Sequence, residues 1–208
     1  MTTSARRAPA RVPQEERSRA MRSRLLVATV ECLVEHGWAG TSTTLVSQRA
    51  GVSRGAQLHH FPTKNDLVLA AVEHVTLARE DDLVGLVRAG AGRTRAVLAA
   101  LAELYTGPLF TAALELWVAA RTDPALHEAV VELEARVGRD AHRRTVEALG
   151  IDEAAPGNRE LVQATLDLVR GLGLATTLTD DAGRRAHILD RWAAVLDAEL
   201  VRPEGVLP

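Results

Sequence analysis

Between residues 41 and 64 stand side chains suited to meeting a nucleic acid. Thr41 and Ser42 bring hydroxyls, and Arg54, His59, His60 and Lys64 bring cations or donors. Arg54 presents a fork of donors that matches the O6 and N7 edge of guanine, a contact that discriminates by about 1–3 kcal/mol. Gly55 and Ala56 let a backbone approach closely, and the Ala56 methyl can meet a thymine methyl; Leu58 and His59 follow on the same segment. His60 and Lys64 are placed to hold phosphate, and Lys64 opens a helix whose N-terminal dipole favours the same anion.

The elements that must position these groups are two short helices around a tight turn. Thr41 and Ser42 can cap a helix over about residues 42–49, which sets Val46 and Ala50 four residues apart on one face. Gly51 stops that helix with a positive backbone angle, Val52 plugs the gap, and Ser53 caps the next. Phe61 and Pro62 close the second helix, because a residue before proline is pushed out of helical conformation. Thr63 then caps a long third helix. This is the pattern of a helix-turn-helix, whose second helix enters the major groove with its N-terminal residues nearest the bases.

The order of Gly37 followed by an aromatic, a Thr/Ser pair, Ala50-Gly51-Val52-Ser53, Gly55 and then His60-Phe61-Pro62-Thr63-Lys64 resembles the tetracycline-repressor (TetR) family over about residues 20–75. Gln57 and Leu58 stand where that family usually has Leu and Tyr, which moves the base-reading weight onto Arg54 and His59. The resemblance implies an all-α homodimer with an N-terminal DNA-binding domain and a C-terminal domain that binds a small ligand and dimerises. It also implies repression of transcription, with the linking helix changing the separation of the paired heads.

Charge follows the same division. Residues 1–64 hold ten Lys and Arg against four Asp and Glu; the remainder holds fifteen against twenty-three. A basic head on an acidic body is the footprint of a phosphate-binding unit joined to a part that does not bind phosphate. A helical protein-interaction module that binds no DNA, the alternative reading, leaves that basic head unexplained. Few aromatics and abundant Ala, Leu, Val, Arg and Glu favour helix over strand, so an all-α fold is expected. Cys32 is the single cysteine, which excludes an intrachain disulfide and fits a reducing cytoplasm. No apolar run reaches the 18 or so residues of a membrane span.

About nine helices are expected in three parts: a disordered basic tail over residues 1–13, a DNA-binding domain over 14–62 and a ligand-binding and dimerisation domain over 63–208. Arg6, Arg7 and Arg11 in the tail could follow the DNA backbone. The first helix runs from about Gln14 to His36 with Leu25, Leu26, Thr29, Val30, Cys32, Leu33 and Val34 inward, ended by Gly37, with Trp38 packed back as an anchor. The third helix continues to about Arg88 and a turn over residues 89–92. Helices follow over 94–106, over 109–121 with Phe110, Leu114, Trp117 and Val118 on one side, and from Asp123 to Leu149. Asn158 is expected to cap a helix to about 178, and the last runs over about 181–201.

Polar residues interrupting apolar helices mark candidate walls of a ligand pocket: His74, Tyr105, Glu115, Trp117, Arg121 and Thr165. Few charges stand among them, so a hydrophobic or amphipathic effector is expected. Leu168, Gly171, Leu172 and Ala175 on one helix and Ile188, Trp192 and Val195 on the last form the expected dimer face. The helix-interior glycines, costly by about 0.5–1 kcal/mol each, suit close approach of a second copy. Two copies would read a near-palindromic operator with half-sites about one helical turn apart. The histidines form no HExxH pair and no serine sits in a nucleophile elbow, so no catalytic residue, metal or cofactor is expected.

Overall fold

The computed structural model describes residues 14–74 and 93–203. The expected tail with Arg6, Arg7 and Arg11, the run from residue 75 to Arg88 and the turn over 89–92 lie outside the described residues. Among those described there are nine helical segments and no strand.

Helix α1 (Gln14–Gly40) is broken at Gly37, whose φ of 65° and ψ of −176° turn the chain before Trp38. Leu25, Leu26, Thr29, Cys32 and Leu33 face inward as expected, but Val34 is exposed. Positions 26, 29, 30 and 33 repeat the helical period, and Val34 falls past the edge of that stripe. Helix α2 (Thr43–Ala50) starts under Ser42, whose Oγ accepts from Leu45 N, and ends at Gly51 with φ 62°. Helix α3 (Arg54–His60) starts under Ser53, whose Oγ accepts from Ala56 N.

Helix α4 (residues 64–74) opens with a reciprocal cap. Thr63 N–H donates to Asp66 Oδ2 and Asp66 N–H donates to Thr63 Oγ1. Its first turns close the core of the head, where Leu67 and Ala71 meet Leu25, Leu26, Cys32, Val46, Ala50, Val52 and Phe61.

The body comprises α5 (Arg93–Thr106), α6 (Pro108–Ala120), α7 (Pro124–Leu149), α8 (Asn158–Thr176) and α9 (Ala182–Glu199). Proline at the first position starts α6 and α7, and Asp123 Oδ1 accepts from Leu126 N. Leu109, Ala112, Leu116 and Ala120 form the buried seam of α6, whereas Val118 is 65% exposed. Asn158 is not the cap of α8: Gly157 takes that place. The Asn158 side chain is buried and bonds Asp152 O, Val201 O and Val201 N, tying a loop to the segment after α9.

Two further clusters complete the interior. One packs α5, α8 and α9 with the end of α7. The other joins head to body, for it gathers Leu33 of α1 and Val68 and Val72 of α4 with Leu116 of α6 and Leu126, Val130 and Leu133 of α7. No single described helix is long and apolar enough to cross a membrane; the α5–α6 pair bends by 55° at Gly107.

Candidate nucleic-acid interface and ligand pocket

The seven residues of α3 divide by face. Arg54, Gly55, Leu58 and His59 are exposed, whereas Ala56, Gln57 and His60 turn inward to different depths. Leu58 is 42% exposed, an apolar side chain left facing solvent beside Arg54. Ala56 packs partly against the head core, so its methyl lies on the inner shoulder of the helix and not on the outer face with Arg54. His60 is half-buried, with its ring 5.6 Å from that of His59 and 6.3 Å from that of Phe61. Gln57 is wholly buried; its Nε2 donates to Phe61 O at 2.6 Å, and its Oε1 has no partner among the described residues.

Two expected DNA contacts are otherwise engaged. Thr41 is buried and its hydroxyl donates to Gly37 O at 2.7 Å, so it holds the kink of α1 while Ser42 alone caps α2. The Lys64 ammonium donates to Trp38 O and lies 4.1 Å from the centre of the Trp38 ring. Desolvation there holds its pKa below the usual lysine value. Lys64 therefore reaches back to the anchor at the end of α1 instead of outward to phosphate. Missed from sequence was Arg22, whose guanidinium stands 5.3 Å over the Phe61 ring on the exposed side of α1, next to the end of α3. Its signal was the run of Arg17, Arg19, Arg22 and Arg24, all exposed.

The same Trp38 turn is gripped from the body. Trp38 N–H donates to Glu115 Oε2 at 2.8 Å, and a Cβ placed on Gly37 would come within 3.1 Å of that oxygen. Glu115 thus belongs to the junction of head and body, not to a cavity wall.

A cavity of about 90 Å³ opens between α4, α5, α6, α7 and α8. Of the six expected wall residues, it brings together Tyr105 and Trp117. His74 is half-buried at the last described position of α4, Arg121 is exposed at the end of α6, and neither lines it. Thr165 is buried between helices, donating to Leu161 O and accepting from Trp192 Nε1 at 2.9 Å.

The polar groups that sequence reasoning missed are Glu134 and Arg170. Glu134 Oε1 accepts from Trp117 Nε1 at 2.7 Å, and burial pushes its carboxyl above the ordinary value, opposed by that bond and by Arg170. Arg170 pairs with Asp167 at 2.6 Å and stands 5.5 Å over the Tyr105 ring. Burial likewise raises the Tyr105 hydroxyl, against the pull of Arg170. The available signal was on α7, where Glu134 shares a face with the small residues Gly138 and Ala141 at i+4 and i+7. Among the described residues no cluster of His, Cys, Asp and Glu could hold a metal ion.

On the outer side of α8 and α9, Leu168, Ile188 and Trp192 line an open groove with Arg184, His187 and Arg191. Gly171 is exposed, Ala175 and Val195 are half-buried, and Leu172 is interior, in the core with α5. The close approach in this region is also internal: a methyl on Gly173 would overlap the Tyr105 carbonyl oxygen of α5.

An outward-facing capped helix on a small helical head, gripped by a larger helical body with an internal pocket, is the arrangement of a helix-turn-helix unit joined to a second helical part. Residues 25–71 match the family described as bacterial regulatory proteins, tetR family. The HTH-type transcriptional regulator CymR of Pseudomonas putida is 36% identical over 135 residues, 59% of this chain; the chain spans 62% of CymR's length. The HTH-type transcriptional regulator BetI of Pseudomonas aeruginosa is 29% identical over 192 residues, covering 88% of this chain and 95% of BetI. A solved transcriptional regulator from Rhodococcus sp. Rha1 superposes with a TM-score of 0.61 at 25% identity, over 90% of this chain and 99% of the other. The tetR resemblance thus rests on the matched head, residues 25–71, and on these similar transcriptional regulators.

Proposed function

We propose that this regulator is a cytoplasmic repressor that binds a near-palindromic operator as a homodimer and leaves it when a small hydrophobic or amphipathic effector fills the cavity beside Trp117. It performs no catalysis in this reading. The observation that supports it best concerns one helix: α6 supplies Phe110 and Trp117 to the cavity wall and Glu115 to the Gly37–Trp38 turn of the head. A shift of α6 on filling the cavity is therefore a shift of the head. The groove of Leu168, Ile188 and Trp192 is the face for the second copy, which gives two heads for two half-sites.

In the head, Arg54 and His59 read bases from the exposed face of α3, while Gly55 allows close approach. Arg22 and its neighbours on α1 take the phosphate role expected of Lys64. Fluorescence anisotropy with DNA from upstream of the chain's own gene, at several salt concentrations, tests this. Arg54→Ala should weaken specific binding by about 1–3 kcal/mol and relax sequence preference. Arg22→Ala should flatten the salt slope by about one unit, and Lys64→Met should leave that slope unchanged. Absence of a specific complex at low salt, or a monomer in sedimentation at micromolar concentration, would overturn the reading.

A further inference from the structure

The outward arc of α3 carries an apolar side chain that base reading by Arg54 and His59 leaves unused. At about 100° per residue, Arg54, Leu58, Gly55 and His59 follow one another around the helix within about 140°. Leu58 therefore stands between Arg54 and Gly55, not at an edge of the arc. Ala56, Gln57 and His60 fill the inner side. Leu58 is 42% exposed, and a Cβ added at Gly55 would meet nothing within 4 Å, so the space before this arc is open.

Contacts at both ends fix the direction in which the arc points. Ser53 Oγ accepts from Ala56 N at one end; at the other, Gln57 Nε2 donates to Phe61 O and Phe61 N–H donates to Gln57 O. If Arg54 and His59 reach base edges, Leu58 between them is carried to the same depth. Its side chain has no donor or acceptor, so it returns nothing for water stripped from a polar base edge. The major groove offers one apolar group, the 5-methyl of thymine; cytosine presents its N4 donor there, and the purines present N7 with O6 or N6. The methyl contact expected of Ala56 cannot be made from the inner shoulder of the helix, where Ala56 packs against the head core.

We propose that Leu58 is a specificity determinant, packing on the 5-methyl group of one thymine in each half-site. This rests on the reading of α3 as the base-reading helix and adds a second base to the guanine held by Arg54. One helical turn separates the two residues, about 6 Å along the axis, and base pairs stack about 3.4 Å apart. The thymine thus lies roughly one or two base pairs from that guanine.

Deoxyuridine isolates the methyl, since it keeps every polar group of thymine and lacks only that carbon. Duplexes selected from a random pool by the full chain, then remade with deoxyuridine at each thymine in turn, serve as probes in anisotropy titrations. The expected result is a loss of about fourfold at one thymine per half-site, the effect of withdrawing one methyl-sized group from apolar contact. That thymine should lie within roughly two base pairs of the guanine whose preference relaxes in Arg54→Ala. In Leu58→Ala, thymine and deoxyuridine should bind alike at that position. Both DNAs meet the same variant, so a poorly folded fraction cannot imitate this loss of discrimination. No deoxyuridine penalty at any position, or an equal penalty in Leu58→Ala, would overturn the thymine contact while leaving α3 as the reader. A pool that yields no preferred sequence would overturn the reading of α3 itself, and the thymine contact with it.

Discussion

Arg54, Gly55, Leu58 and His59 stand on one seven-residue helix and face out, whereas Tyr105, Phe110, Trp117 and Glu134 come from three helices and meet one another. The outer face is held by what lies beneath it: the Ser53 cap, the Gln57 bond to Phe61 O and the apolar core of α1, α2 and α4. None of those contacts involves the side chains of Arg54, Leu58 or His59. The inner site has no such separation, because the Glu134 carboxylate that would meet a ligand already accepts from Trp117. A ligand entering there must change how the walls hold each other. The two regions are joined by α6 through Glu115.

If the body depends on closely set helices, the smallest addition at its tightest point should be the most damaging change in the molecule. Gly173→Ala drives a methyl into the Tyr105 carbonyl, where backbone leaves no room to yield. Unfolding in urea should show a loss of about 3 kcal/mol, at the upper end of overpacking effects. Gly171 on the same helix has nothing within 4 Å of an added Cβ. Gly171→Ala should therefore stabilise the chain by about 0.5–1 kcal/mol through helix propensity. Equal effects at the two positions would show that α5 and α8 are not in close contact at Gly173.

The next test breaks the link between the regions. Glu115→Ala removes the acceptor of the Trp38 N–H and the carboxylate packed on Gly37. Hydrogen bonds to charged groups contribute about 1.5–3 kcal/mol, and this one is only half-buried, so a loss near 1.5 kcal/mol is expected. Scanning calorimetry is the informative measurement. With the grip gone, the head should melt ahead of the body, and a single sharp transition at the original temperature would mean that the shared apolar cluster alone couples them.

The two regions also differ in how much of them a reader of the sequence can see. The head announces itself because its signals are local: Ser42, Gly51 and Ser53 cap and turn within a dozen residues, and the structure has each in that role. Where expectation failed in the head, a long side chain had a choice of directions, as with Lys64, which folds onto Trp38. The cavity draws walls from five helices spread over about a hundred residues, so no single stretch shows it. Trp117 was visible as an aromatic in an apolar helix, but Glu134 reads locally as one more acid among Glu128 and Glu132. Its meaning comes from Trp117, seventeen residues away.

Glu134 gives the comparison a pH signature. Its carboxyl is raised above the ordinary 4.5 by burial. The folded chain thus binds that proton more tightly than the unfolded chain, and the resulting stabilisation is present below about pH 4.5 and lost as pH rises through the folded value. At pH 7 the ionised group opposes folding of the empty protein. Glu134→Gln should therefore raise the melting temperature at pH 7, by less than about 1 kcal/mol of stability because solvent partly screens the carboxylate. The advantage should vanish near pH 4. An advantage that is constant across this range would have another source than ionisation.

The head contains one imperfectly paired polar group of its own, and it supplies the finest test of the contrast. Gln57 is fully buried, bonded through Nε2 to Phe61 O and, among the described residues, unpartnered at Oε1. A buried acceptor without a partner costs about 1–3 kcal/mol, while the bond to Phe61 returns about 1 kcal/mol. Gln57→Leu removes both and fills the space with apolar atoms, so it should be neutral or stabilising by about 0.5 kcal/mol, with operator affinity intact. Gln57→Ala, which leaves a cavity and the Phe61 carbonyl unbonded, should instead destabilise. If Gln57→Leu lowered operator affinity severalfold without loss of stability, the Phe61 bond would be steering α3, and the head would share the body's dependence on an internal polar contact.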